Sequence, residues 1–93
     1  MIIRWEHDHD YVVAHLHQDM FGDWILSRAW GQIGTRYGGL KHEVAESRAQ
    51  AETWLDDIDH IQQSRGFRQV LKTSAQSREG QAALDAIANL SDA

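Results

Sequence analysis

A segment rich in tryptophan and glycine, residues 20–39, constrains the fold of this chain more than any other. It holds two of the four tryptophans and five of the seven glycines in a sequence of 93 residues. Residues 24–30 have the β-branched and aromatic content of a strand. Glycines at positions 31, 34, 38 and 39 then allow a tight reversal of the backbone. The segment therefore predicts a strand that ends in a large ring, Trp30, beside a glycine-rich loop.

Alternating segments on either side predict an antiparallel sheet. Residues 11–18 alternate apolar and mixed side chains, and residues 40–46 place Leu40 and Val44 on one side of a third strand. The first residues include Ile2, Ile3 and Trp5, which favour an extended lead-in that can add a strand. Strands joined by short loops form a meander most economically. The predicted fold class is α+β, with an antiparallel sheet of three to five strands.

A helix is predicted to cover the apolar side of this sheet. Ser47 can cap its start, with Gln50 in the capping-box position. The series that follows has the spacing of one helical stripe: Ala51, Trp54, Leu55, Ile58 and Ile61. Asp56, Asp57 and Asp59 fall away from that stripe, which predicts that they face solvent. Gly66 is expected to end the helix just after Ser64.

The last third of the chain predicts a linker and a second, short helix. Residues 72–80 are polar, whereas residues 82–90 are rich in alanine and leucine. We therefore divide the chain into a domain of residues 1–70 and an appended segment of residues 71–93. A helix this short must dock or fray. Docking on its own sheet, docking on a second copy to form a homo-oligomer, and disorder all remain open, and we favour the first two.

Charge is distributed in bands along the chain. The net charge is -5, which argues against a generally basic coat for nucleic acid. Residues 27–48 nevertheless carry four basic side chains against two acidic ones, residues 49–64 are wholly acidic, and residues 65–78 are wholly basic. If the two basic bands meet in space, they form an anion-binding face. The alternative is ordinary solvated charge mixing.

Catalysis, metal binding and export find no support in the sequence. There are no cysteines, and no phosphate-binding loop, nucleophile elbow or zinc-protease motif occurs. His7 with His9, and His15 with His17, can point to the same side of a strand, but a pair of ligands is a weak metal motif. No apolar run has the length of a signal peptide or a membrane span. We expect a cytoplasmic protein that is not an enzyme and has no cofactor, no metal and no membrane partner.

Several of these motifs together resemble one family. Residues 21–24 (Phe-Gly-Asp-Trp), residues 30–35 (Trp-Gly-Gln-Ile-Gly-Thr), the pair at 38–39, a following helix and residues 65–67 (Arg-Gly-Phe) are similar to the WGR domain. The resemblance runs from about residue 11 to residue 68. That family includes a DNA-contacting module beside the catalytic part of some poly(ADP-ribose) polymerases, and short stand-alone bacterial proteins. The arginine that names the family is Gln32 in this chain.

The resemblance implies a nucleic-acid site around the glycine-rich loop. It implies that Trp30 stacks on a base or sugar at a DNA end, and the remaining site residues that we predict are Gly31, Gln32, Arg36 and Lys41. Read without the family, Trp30 is better explained as a buried core ring, and the resemblance makes the two interpretations equal. The second functional hypothesis is a protein-interaction or self-association module that binds no nucleic acid.

Overall fold

The computed structural model describes residues 1–88 and 90, which form a five-stranded sheet and two helices. In chain order the elements are β1 (Ile2–His7), β2 (Asp10–Gln18), β3 (Trp24–Gln32), β4 (Gly38–Ala45), α1 (Arg48–Ser64), β5 (Arg68–Thr73) and α2 (Arg78–Ala88). The strand order is β4-β3-β2-β1-β5, and every neighbouring pair is antiparallel. The predicted α+β class with its antiparallel meander, main helix and short C-terminal helix is confirmed.

The two helices lie on opposite faces of the sheet, because alternate residues of each strand join different apolar clusters. On the α1 face, Trp5, Ala14 and Leu26 pack against Leu55 and Ile58 of the helix, among other core residues. On the α2 face, the smaller cluster joins strand residues to α2 residues: Ile2, Tyr11, Val13, Leu71, Ala83, Leu84 and Ile87. The fold is therefore three layers deep where both helices lie over the sheet.

Helix α1 begins and ends as predicted, but its buried stripe differs in two places. The Ser47 hydroxyl accepts a hydrogen bond from the Gln50 backbone N–H at 3.1 Å, and the helix ends before Gly66, whose φ is +88°. Ile61 was predicted to pack on the sheet, yet it is 53% exposed, while Gln62 is buried. At the last turn of the helix, position 62 rather than 61 therefore meets the core.

Asp59 is a second correction on α1, because it does not simply face solvent. Its Oδ1 accepts a hydrogen bond from the indole N–H of Trp5 at 2.8 Å, and Trp5 is fully buried. That bond is the main reason why the pKa of Asp59 lies below its usual value. The carboxylate satisfies the one polar atom of the largest fully buried side chain.

The segment after residue 70 departs from the predicted linker. Residues 71–73 belong to β5, which pairs with β1, so the connection before α2 is only residues 74–77. Helix α2 docks on the sheet of its own chain, where Gly80 and Ala83 are buried. Of the three alternatives for this helix, docking on its own sheet is the one observed over Arg78–Ala88. No helix among residues 1–88 and 90 has the length and apolarity needed to cross a membrane.

Strand β4 is an edge strand whose apolar residues are not covered by α1. Its register with β3 places Lys41, Glu43 and Ala45 on the α1 face. Leu40 and Val44 lie on the opposite face, where they are 42% and 64% exposed. We predicted that the main helix would cover the apolar side of this strand, and that prediction is wrong. On the α2 face, Leu90 lies near Gly38 and covers that end of β4.

Candidate nucleic-acid interface

Trp30 lies near the end of β3 on the α1 face, beyond the part of the sheet that α1 covers. It is 45% exposed, so it is not the buried core ring of the alternative interpretation. Its cross-strand neighbour is Gly39 of β4. A Cβ atom at position 39 would lie 2.2 Å from the Trp30 Cζ2 atom, so the indole rests directly on the glycine backbone. The absence of a side chain at Gly39 lets this ring lie against the sheet with its other side free.

A groove of about 300 Å³ opens beside the Trp30 ring. Its lining comes from the start of β2, the end of β3 and the segment after α1: Asp10, Tyr11, Val12, Trp30, Gly31, Gln32, Arg65 and Phe67. The Arg65 guanidinium lies 5.0 Å from the centre of the Phe67 ring, and its Nη1 donates to Gln62 Oε1 at 3.2 Å. One groove therefore offers an indole, a guanidinium held over a second ring, and one carboxylate.

Gly31 and Gln32 shape the loop that follows Trp30. A Cβ at position 31 would lie 2.7 Å from the Tyr37 carbonyl oxygen, so only glycine permits this close approach of β3 and the loop. The Gln32 carbonyl accepts hydrogen bonds from the Thr35 backbone N–H at 3.2 Å and from its hydroxyl at 3.0 Å. Gln32 itself is exposed and lines the groove. Both predicted residues thus lie at the groove.

Arg36 and Lys41, which we predicted as site residues, do not line this groove, and they differ in how free their charges are. Arg36 lies in the loop before β4 next to Tyr37, which is 63% exposed, and it forms no ion pair within the described part of the chain. Lys41 Nζ lies 3.7 Å from Glu43 Oε1. The same oxygen accepts a hydrogen bond from Arg28 Nη2 at 2.7 Å. Lys41 therefore shares the α1 face with Trp30, but its charge is partly neutralised.

The two basic bands do not come together at this groove, because no cation of residues 27–48 lines it. From the second band, Arg65 reaches the groove of Trp30. In the first band, Arg48 pairs with Glu52 at 2.9 Å and lies over the ring of Trp24, away from this groove. Sequence reasoning did not place Arg65 or Tyr37 among the site residues. The Arg65-Gly66-Phe67 tripeptide could have indicated Arg65, because the buried Phe67 brings the nearby arginine close to the sheet.

A polar cluster on the α2 face was not predicted. The Ser27 hydroxyl lies 3.0 Å from His17 Nε2 and 2.6 Å from His42 Nδ1, and the His15 and His17 rings stack at 4.3 Å. Burial and the neighbouring His17 lower the pKa of His15 to about 4. Burial is also the main cause that lowers the pKa of His17. His42 comes close to Ser27 because β4 pairs with β3. The spacing of the two residues in the sequence does not reveal that pairing.

The described residues contain no group of three or more side chains positioned to hold a metal ion. The carboxylates of α1 do not form an acid–base pair either. Asp59 accepts hydrogen bonds from Trp5 and Gln63, while Asp56 and Asp57 are exposed. The region around Trp30 combines a partly exposed indole with the guanidinium of Arg65.

Compared with known protein families, curated proteins and solved structures, the chain shows no match. The resemblance to the WGR domain therefore stays a prediction that depends on the motifs in the sequence.

Proposed function

We propose that this protein is a small, non-catalytic binding module of WGR type that engages nucleic acid, DNA in particular, in the cytoplasm. The observation that carries the proposal is the half-exposed indole of Trp30, seated on Gly39 beside a groove that contains the Arg65 guanidinium. A planar apolar surface next to a fixed positive charge matches a nucleotide, which joins a planar base to an anionic phosphate.

The groove geometry favours an unpaired nucleotide. Because one side of the Trp30 ring rests on the β4 backbone, only its outer side is free to stack on a base. A base inside a duplex already has two stacking neighbours, so a terminal or single-stranded base fits this platform better. Stacking contributes about 1–3 kcal/mol per base. Arg65 lines the groove and is the first cation that we propose for the phosphates, with Arg36 of the following loop and Lys41 of β4 as further contacts.

A protein partner is the second candidate function. Asp10 lines the same groove, and the net charge of -5 repels a polyanion at long range. Both features favour a partner that presents an apolar or basic side chain to Trp30. In this alternative the groove receives a segment of another protein and binds no nucleic acid.

A titration by fluorescence anisotropy separates the two functions. Short labelled single strands, blunt duplexes and duplexes with an overhang are titrated with the protein at low salt. We expect binding that weakens as salt is added and that is tightest for substrates with an unpaired base. Trp30→Ala and Arg65→Ala should each weaken binding by about tenfold, since each removes a contact worth about 1–3 kcal/mol.

Matched controls come from exposed residues of the same types elsewhere. Phe21→Ala removes an aromatic ring that is 83% exposed in the loop between β2 and β3, and Arg78→Ala removes a cation at the start of α2. Neither substitution should change the affinity by more than about twofold, because the attraction from one distant exposed charge is largely screened by salt. If Phe21→Ala weakens binding as much as Trp30→Ala, the platform assignment is wrong. If no substrate titrates, the protein-partner alternative stands instead.

A further inference from the structure

The exposed edge of β4 is self-complementary about its central residue. Among residues 1–88 and 90, strand β4 has one hydrogen-bonded neighbour, β3, so its other side presents backbone N–H and C=O groups that no described strand pairs with. In an antiparallel pair of two β4 strands related by a two-fold axis at His42, Lys41 of each copy faces Glu43 of the other. Farther out on the same face, Gly39 of each copy meets Ala45 of the other. On the opposite face, Leu40 of each copy meets Val44 of the other. Opposite charges and apolar residues therefore meet in this one register.

We propose that two copies of this chain pair through their β4 strands to form a continuous ten-stranded antiparallel sheet. Residues 39–45 of each copy would face each other, and this length allows about six backbone hydrogen bonds. Leu40 and Val44, which are 42% and 64% exposed in the single chain, would cover each other across the junction. The proposal is independent of the nucleic-acid function.

Neighbouring registers lack this complementarity. An axis at Lys41 would place two ammonium groups directly opposite each other, and an axis at Glu43 would do the same with two carboxylates. Like charges opposite each other destabilise an antiparallel pair. With the axis at His42, each Glu43 carboxylate has Arg28 of its own chain at 2.7 Å and receives Lys41 of the second copy. The charge pattern thus favours a single register.

The other edge of the sheet, β5, is unsuited to the same pairing. Its register with β1 shifts between Arg4 and Trp5, and an irregularity of this kind disrupts the regular hydrogen-bonding edge. A two-fold axis at its centre, Val70, would also place Arg68 of one copy against Lys72 of the other. In contrast, β4 keeps an unbroken register with β3 over eight residues. The regular edge is therefore the one with matching charges.

The mass of the protein in solution tests the pairing directly. Light scattering over a concentration series, with no nucleic acid present, should give twice the chain mass of 10.6 kDa at high concentration. Lys41→Glu alone and Glu43→Lys alone should each weaken the dimer by at least about tenfold, because each places like charges opposite each other twice. A mixture of the two variants should restore a dimer, since every facing pair then has opposite signs. Lys72→Glu, on β5, is the control and should leave the mass unchanged.

A disulfide at the axis tests the register. In an antiparallel pair, facing Cα atoms lie about 4.5–5.5 Å apart, which is within the range that a disulfide spans. His42→Cys should therefore cross-link the two copies on air oxidation, in a chain that has no other cysteine. Val44→Cys should not, because the two substituted positions lie four residues apart along the junction. A wild-type mass of one chain at every concentration, or equal cross-linking by both variants, would overturn the proposal. Circular dichroism confirms that each variant is folded.

Discussion

At the residue scale, the functional surface depends on the contact between Trp30 and Gly39. The indole is large and 45% exposed, so an unsupported ring would sample several rotamers. Contact with the glycine backbone limits that freedom before any partner arrives. Binding to a ring that is already held in place costs less conformational entropy than binding to a mobile one. The small residue is thus as much a part of the platform as the large one.

A double-mutant cycle tests this contact. We expect Gly39→Ala to lower the free energy of unfolding by about 1–3 kcal/mol, because the new methyl group would lie 2.2 Å from the Trp30 ring and must displace it. In a Trp30→Ala background the same substitution should change the free energy of unfolding little, since the indole that the methyl group would meet is absent. Urea unfolding of the four proteins measures the coupling.

Gly38→Ala provides the control for this cycle. Its methyl group would meet the Trp30 backbone oxygen, which is present in both backgrounds. Its cost should therefore be the same with and without the indole. Equal costs for Gly39→Ala in the two backgrounds would show that the ring does not rest on this glycine.

At the element scale, α2 contributes to the core of its own chain. Ala83 packs in the cluster that contains Ile2, Tyr11 and Val13, so the helix covers one half of the α2 face. Short helices of this length are marginal in water, and this one is stabilised by tertiary contacts. The homo-oligomer that we predicted through the C-terminal helix would need those apolar side chains, which are already in contact with the sheet. Leu40 and Val44 of β4, in contrast, are exposed.

A charge placed on the buried side of α2 tests its docking. Ala83→Glu should lower the free energy of unfolding by about 2–4 kcal/mol, because it brings a carboxylate into a position that is 8% exposed. Ala82→Glu, one residue earlier on the exposed side, should change it by less than about 0.5 kcal/mol. Thermal unfolding followed by circular dichroism measures both. Equal effects of the two substitutions would mean that α2 does not dock as described.

At the scale of the whole molecule, the two faces of the sheet carry different groups of polar side chains. The α1 face carries the candidate interface, while the open half of the α2 face carries the cluster of His15, His17, Ser27 and His42. Because burial lowers the pKa of His15 to about 4, this ring is neutral in the folded protein near pH 6, where the unfolded chain is partly protonated. Acid therefore favours the unfolded state.

The pH dependence of stability follows with a definite sign. Since the pKa of His15 is lower in the folded state, its contribution is fully present above about pH 6.5 and is lost as the pH falls toward about 4. We expect a loss of about 1–2 kcal/mol over this range, because the ring is only partly buried and solvent screens its charge. His15→Gln should flatten the curve in this window, as measured by urea unfolding at several pH values.

An exposed histidine provides the control for the pH experiment. His60 lies on the outer side of α1, and its Nδ1 lies 2.8 Å from the Asp56 carbonyl oxygen within the same helix. Urea unfolding of His60→Gln over the same pH range measures the effect of the same substitution at an exposed position. The same slope in wild type and His15→Gln would show that another group causes the acid sensitivity.

Local patterns in the sequence were sufficient to predict most of the elements. Period-two alternation identified β2, β3 and β4, and the Ser47 cap with its apolar stripe identified α1, because these features act between residues close in the chain. The exposed ring of Trp30 beside its glycines was also within reach of sequence reasoning, as one of two alternatives. Strand β5 was missed because its residues alternate weakly and it gains its order from pairing with β1.

The sequence by itself determined strands β2, β3 and β4, the main helix and the charge bands, since each is a property of neighbouring residues. Only the tertiary structure decided which face each helix covers, that Asp59 bonds the buried Trp5 indole, and that Arg65 reaches the groove of Trp30. Those pairs lie between 35 and 54 residues apart in the chain. The physical reason is that such contacts depend on how the strands pair and on where the helix lies across them, and no local spacing encodes either.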